Sequence, residues 1–203
     1  MIKTNERSNQ RVRKLVMTAM LSAVAAVLMI LNFSVPFMPF FIKLDFSEMP
    51  ALIAAYSMGP LSGVAVCLIK NVINLLIKSS ITGGVGEICN FLLGVAFVLP
   101  AGLVYRIRKT RKAAFWAAVI GTCAMAVIGL VLNYFIIYPI YATIMPIEQI
   151  IGMYQAILPG VDGLFVCLVT FNLPFTILKG LLNTTITFLI YKRISPLIKG
   201  SHS

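Results

Sequence analysis

The sequence predicts an all-α integral membrane protein, a bundle of six transmembrane helices, some of them short or kinked. Three observations carry this. Of 203 residues, 60% are hydrophobic and only 11% are charged, with a mean hydropathy of +0.97; a soluble domain carries about a quarter charged residues. The apolar runs are long enough for membrane helices and too long for barrel strands. The basic residues gather at the ends of those runs instead of covering a surface.

That clustering also decides what the net charge of +11 means. Lys3, Arg7, Arg11, Arg13 and Lys14 precede the first apolar run. Arg106, Arg108, Lys109, Arg111 and Lys112 fill one connector, and Lys192, Arg193 and Lys199 follow the last run. Positive residues beside apolar segments set topology, with the positive side cytoplasmic. The basicity is therefore topogenic and no nucleic-acid partner is expected. Both termini are expected in the cytoplasm, with residues 1–14 and 194–203 as tails of a single transmembrane domain.

Residues 15–33 read as the first helix, which outruns a signal-peptide core and lacks a small-residue cleavage site. Its small residues Ala19, Ser22, Ala23 and Ala26 permit close approach of another helix, within the bundle or from a partner. Pro36 and Pro39 break it, and a polar interruption follows with Lys43, Asp45 and Glu48. Residues 50–58 form a short second helix, closed by the turn signal Gly59-Pro60. Residues 61–78 form the third, with Lys70, Asn71, Asn74 and Lys78 near one side. Both lysines read as snorkelling towards the interface.

Thr82 to Gly86 is a glycine-rich loop, and Glu87 to Tyr105 the fourth helix, carrying Asn90 and Pro100. Residues 113–141 form the fifth, with Asn133 its most polar side chain. Between Pro146 and Pro159-Gly160, the residues Ile147, Ile150, Ile151, Tyr154 and Ile157 recur at helical spacing. They predict a short amphipathic helix lying at the interface. Residues 164–191 are the last span. The interruptions at 34–49, 79–86 and 142–163 then all fall outside.

The last span carries the clearest functional signal. Asn172, Thr176, Lys179, Asn183 and Thr187 share one narrow helix face. A lysine in hydrocarbon costs about 2.5–3.5 kcal/mol on insertion scales, so it marks a site inside a bundle. A buried ion pair of Lys179 with Glu87 or Asp45 is the structural alternative. Asn183 and Thr187 are read as bonding backbone or neighbouring helices. Asn133, Glu87, Asn90, Asn172 and Thr176 all fall in outer halves of their helices, and Asp45, Ser47 and Glu48 come from the first outer loop. Together they predict a small-molecule cavity open to the outside. Pro174 sits within the polar face and kinks it, widening the space beside Asn172 and Thr176.

What is missing narrows the class. No P-loop motif is present, so no ATP site of its own is expected. His202 is the only histidine, and Cys67, Cys89, Cys123 and Cys167 stand singly, which argues against a metal site or a disulfide framework. No paired base or nucleophile triad supports the competing reading, a small membrane enzyme using Lys179 or Glu87 as acid or base. A purely structural subunit leaves the cost of burying Lys179 unexplained. The chain reads as a binding protein without an engine, an enzyme in no sense, and with no cofactor.

The segments LDFSEMPALIAAYSMGPLSGVAVCLIKNVINLL (44–76), GGVGEICNFLLG (83–94), LNYFIIYPIY (132–141) and LPFTILKGLLN (173–183) resemble the riboflavin-specific S component (RibU type) of energy-coupling factor (ECF) transporters. The resemblance covers roughly residues 15–193. It implies a six-helix protein of the bacterial cell membrane that captures riboflavin from outside. It also implies partners: a transmembrane coupling subunit and two cytosolic ATPases, with Ala19 and Ala23 on the docking face. Carried over by position, Asn133 and Lys179 hydrogen-bond the flavin's pyrimidine edge, while Leu44, Asp45, Phe46 and Ser47, with Glu87 and Asn90, surround the rest.

The family usually shows P-F-N-x-x-K-G where this chain has Pro174 to Gly180 with Thr176 in place of the asparagine. That contact is then lost, water-bridged or taken over by Asn172. The departure keeps open an S component for another vitamin or a flavin derivative such as FMN. The residue types suit a flavin, since lysine supplies donors only and asparagine both donor and acceptor. Phe46, Tyr134, Phe171 or Phe175 are candidates to cover the ring faces.

Overall fold

A computed structural model describes residues 2–39, 42–78 and 83–199, with side chains from 9 to 191 within those ranges. Thr82, His202 and the side chains of Lys3, Arg7, Lys192, Arg193 and Lys199 lie outside the described residues. Helix α1 (Ile2–Ile30) ends before a small hairpin of β1 (Phe33–Ser34) and β2 (Lys43–Leu44), paired antiparallel with Phe33 opposite Leu44. Then come α2 (Glu48–Met58), α3 (Pro60–Ile77) and α4 (Val85–Ile107). Helix α5 starts at Arg111–Leu132, passes through a π-helical turn at Asn133–Ile137 and closes at Tyr138–Tyr141. Helix α6 is Ile147–Gln155. Helix α7 begins at Leu164–Cys167, passes a second π turn at Leu168–Asn172 and continues as Leu173–Lys199.

Among the described residues five helices are long and apolar enough to cross a membrane: Asn9–Ile30, Pro60–Ile77, Val85–Ile107, Arg111–Tyr141 and Leu164–Tyr191. The outward surfaces are apolar, with Leu15, Val27, Leu76, Trp116, Phe135 and Leu189 exposed. Helix α2 differs. At 11 residues it is about 16 Å long at 1.5 Å per residue, about half the hydrocarbon thickness. It is nevertheless buried from Pro50 to Tyr56, and it packs against α1, α3, α4 and α7. A helix enclosed by others must be apolar on every face, and the sequence PALIAAY supplies that.

Two apolar clusters fill the bundle. One gathers Leu52, Val66, Phe97, Ala117 and Met125 around α2; the other gathers Leu44, Tyr138, Ile150, Tyr154, Leu168 and Phe171 under the hairpin and α6. Small residues allow the long helices to approach. A Cβ on Gly121 would lie 2.3 Å from the Phe97 carbonyl oxygen, and one on Gly180 2.7 Å from Thr122 Cγ2. Glycine at these positions lets backbones pack at contact distance.

Both π turns have the same cause. Pro139 and Pro174 each follow a π segment by two residues. A proline removes an N–H and clashes with the carbonyl four residues earlier, opening the ladder just upstream. Helix α6 carries the predicted amphipathic face: Ile150 and Tyr154 are buried, and Ile147, Ile151 and Ile157 half-buried. The segment between α1 and α2, expected as a polar interruption, carries the hairpin, with Leu44 and Asp45 buried.

Candidate functional site

All five residues of the polar stripe on α7 face inward: Asn172, Lys179, Asn183 and Thr187 are buried and Thr176 is half-buried. Lys179 Nζ donates to Asp45 Oδ2 at 2.8 Å. Asp45 also accepts from the Ser47 backbone N–H at 2.9 Å and from the Ser47 hydroxyl. Ser47 Oγ in turn accepts from Lys70 Nζ at 2.7 Å, and Lys70 Nζ donates to Glu48 Oε1 at 2.7 Å. One continuous network of two lysines, two carboxylates and a hydroxyl thus joins α7 to α3 through the start of α2. Burial alone pushes the Asp45 carboxyl up. The Lys179 and Lys70 ammonium groups and hydrogen bonds from Lys179 and Ser47 outweigh it and hold Asp45 well below the usual carboxylate range.

The network corrects one expectation. Lys70 does not snorkel: it is fully buried and paired with Glu48. The reason is α2, whose insertion covers the middle of α3 and leaves Lys70 no path to an interface, while bringing Glu48 within reach. Burial of this lysine is tolerable only because its ammonium is paired and hydrogen-bonded. Lys78, at the end of α3, is half-buried.

A cavity of about 190 Å³ lies between α4, α5 and α7, and none of the network's five residues is among those lining it. Asn90, Asn133 and Asn172 line it from three different helices, with Leu93, Ile137 and Tyr141 among its apolar walls. Each asparagine is anchored. Asn90 Nδ2 donates to Asn71 Oδ1 at 3.1 Å, and Asn133 Nδ2 to the Gly129 carbonyl at 2.8 Å. The Asn172 amide closes a ring with two tyrosines: Tyr154 donates to Asn172 Oδ1 at 2.8 Å, Asn172 Nδ2 donates to Tyr138 Oη at 3.1 Å, and the two phenols bond each other. Neither tyrosine stood out in the sequence as a polar partner; the spacing marked Tyr154 only as part of an apolar face.

The remaining candidates stand around these two features. Leu44 is buried under the hairpin, Phe46 packs against the outer cluster and its ring meets Phe33 at 5.8 Å. Glu87 occupies the first turn of α4, half-buried, one residue after the cavity-lining Gly86. Thr176 Oγ1 donates to the Asn172 carbonyl at 2.8 Å, so its hydroxyl proton is held by its own helix. Phe171 and Phe175 are buried in the outer cluster, whereas Tyr134 is exposed and meets Phe165 edge-on at 5.8 Å; none of the four aromatic candidates is among the residues lining the cavity. Ala19 and Ala23 are exposed on α1, while Ser22 and Ala26 point inward, which divides the small-residue stripe into an outer and an inner face. Among the described residues no group of three His, Cys, Asp or Glu can hold a metal.

A helical membrane bundle whose ionisable groups are paired, and whose polar amides converge on a small chamber, defines a class: membrane proteins that bind a small molecule. Comparison with known proteins makes the class specific. The family model for the ECF transporter, substrate-specific component, matches residues 13–191, and the chain belongs to that family. It is 36% identical over 196 residues to the riboflavin transporter FmnP of Bacillus subtilis, covering 95% of this chain and 97% of the relative. It is 34% identical over 197 residues to the riboflavin transporter RibU of Staphylococcus aureus, covering 97% and 96%. A solved S component of a bacterial ECF transporter shares the fold at a TM-score of 0.73 and 33% identity, covering 93% of this chain and 99% of that one. The chain is a transporter component of the membrane and not an enzyme.

Proposed function

We propose that this chain captures riboflavin at the outer side of a bacterial cell membrane and passes it to an ECF coupling subunit driven by two cytosolic ATPases. The observation that carries the ligand is the chamber, lined by asparagines from three helices, in a bundle that also buries the Lys179–Asp45 pair. Asn133 and Lys179 serve the flavin's pyrimidine edge, and Asn90, Asn172 and the Leu44–Ser47 segment enclose the remainder. With about 190 Å³ of space, below the roughly 300 Å³ where ligand pockets begin, entry requires the hairpin and α6 to give way. Lys179 then exchanges part of its bond to Asp45 for a carbonyl of the ligand.

Thr176 leaves the site one amide short, and the Asn172 amide, adjacent on the same face, takes the missing contact. Helix α2 counts as the sixth helix of the membrane domain, a half-length one held wholly by protein. Both termini lie in the cytoplasm, as the basic connector between α4 and α5 requires. The exposed Ala19 and Ala23 form the face on which the coupling subunit docks, because small residues permit close helix approach.

The visible spectrum of the protein purified in detergent tests the ligand. A bound flavin chromophore near one per chain, or quenching of added riboflavin fluorescence, is expected. A colourless protein that leaves riboflavin fluorescence unchanged sinks the assignment.

A further inference from the structure

The end of the bundle remote from the chamber holds a second hollow, of about 350 Å³, between α1, the α2–α3 turn and the end of α4. Lys14, Arg106 and Lys109 line it and all three are exposed. Among the described residues none of the three forms a salt bridge with a carboxylate. Ser57 also lines it, and its hydroxyl is buried with no hydrogen-bond partner among the described residues. Leu61, which is 75% exposed, and Pro60 also line it.

Topology alone asks for positive residues at this end. It does not ask that three of them, from α1, α4 and the connector after α4, converge on a hollow with an unsatisfied hydroxyl. Cations gathered without a counter-charge repel one another, and a buried hydroxyl without a partner has lost its water without a replacement. One ligand relieves both: an anion with oxygen acceptors. The exposed Leu61 in the lining adds that its remainder is hydrocarbon. We propose that this hollow binds the phosphodiester headgroup of an anionic phospholipid, with Lys14, Arg106 and Lys109 around the phosphate, Ser57 donating to one of its oxygens, and the acyl chains descending past Leu61. Basic pockets between helices on the cytoplasmic side take such headgroups. Only the choice of the inner leaflet rests on the topology proposed above.

The test uses the purified full chain, free of riboflavin, in a neutral detergent, so that its outcome is separate from the ligand assignment. Native mass spectrometry follows retention of phosphatidylglycerol, phosphatidylcholine or inorganic phosphate across a titration. Expected is one phosphatidylglycerol per chain, retained at a concentration at least tenfold below that needed for phosphatidylcholine. The variant K14Q/R106Q/K109Q should lose at least tenfold of that retention. R108Q/R111Q/K112Q, with the same charge removed beside the hollow, should keep it. S57A, which breaks no bond in the protein, should weaken it severalfold. Circular dichroism checks that each variant keeps its helix content. Equal retention of phosphatidylcholine, or equal loss in both triple variants, overturns the site. Displacement of the lipid by equimolar inorganic phosphate overturns the lipid as its occupant.

Discussion

Lys179 and Asp45, 134 positions apart in the chain, meet at 2.8 Å with each side chain 10% exposed. The contact fixes the first outer loop against the last span, so the loop's position and the lysine's charge are maintained together. Removing one partner of a buried pair leaves an unpaired charge and costs about 3–5 kcal/mol. Lys179→Met should therefore lower the thermal midpoint in detergent markedly, and D45N/K179M should regain part of the loss. If Lys179 also donates to the ligand, its loss removes a charged hydrogen bond of about 1.5–3 kcal/mol, and riboflavin affinity by fluorescence quenching should drop by tenfold or more.

The same pair gives a pH dependence whose sign is fixed. The Asp45 carboxyl is held below its ordinary value in the folded protein, whereas in the unfolded chain it titrates near 4. A depressed carboxylate contributes stability above the unfolded value and loses it as pH falls through the folded one. The difference in thermal midpoint between the wild type and Asp45→Asn should stay constant from pH 8 to about 5 and shrink only below about 4. A difference that shrinks already near pH 6.5 would show that the pair is not what stabilises the loop.

Lys70 and Glu48, the pair at the other end of the network, offer a second cycle. Lys70→Met alone should cost about 3–5 kcal/mol. Glu48→Gln with Lys70→Met removes both charges and should recover most of that cost, since replacing a whole buried pair is often near neutral. Urea or thermal unfolding in detergent measures it. Additive losses in the double variant would mean that the two groups do not interact.

Two glycines separate packing from helix propensity. Gly121→Ala drives a methyl to within 2.3 Å of the Phe97 carbonyl oxygen, so α4 and α5 must part and the thermal midpoint should fall by several degrees. Gly152, inside α6, faces open space: a methyl added there would meet no atom within 4 Å. Gly152→Ala should stabilise by about 0.5–1 kcal/mol.

Much of this was legible from spacing alone. Period and polarity located the long spans, the amphipathic face of α6 and the inward stripe of α7, because hydrocarbon and bundle interior impose those patterns locally. The three asparagines of the chamber were equally visible as polar residues at similar depth on separate helices. Partners were not. Sequence offered Asp45 only as one of two candidates for Lys179, and it left Lys70 to snorkel, since its burial depends on α2 entering the bundle. The hairpin at Phe33 and Leu44 was hidden too, as two residues a side carry no period. The tyrosine ring around Asn172 depends on how α6 folds back over α5 and α7, which no local pattern encodes.

The two π turns each accommodate one residue more than an α-helical turn. Past such a turn, every side chain is rotated by about 100° relative to an uninterrupted helix. In both α5 and α7 the turn separates an inner half locked by glycine contacts from a short end, and the turn itself places an asparagine, Asn133 in α5 and Asn172 in α7, on the chamber. A lineage could therefore gain or delete a residue at either turn and re-aim the chamber walls while the register of the inner half stays untouched. The fold carries two built-in points at which its cargo can be renegotiated by insertion or deletion, leaving the glycine-packed half of the bundle unaltered.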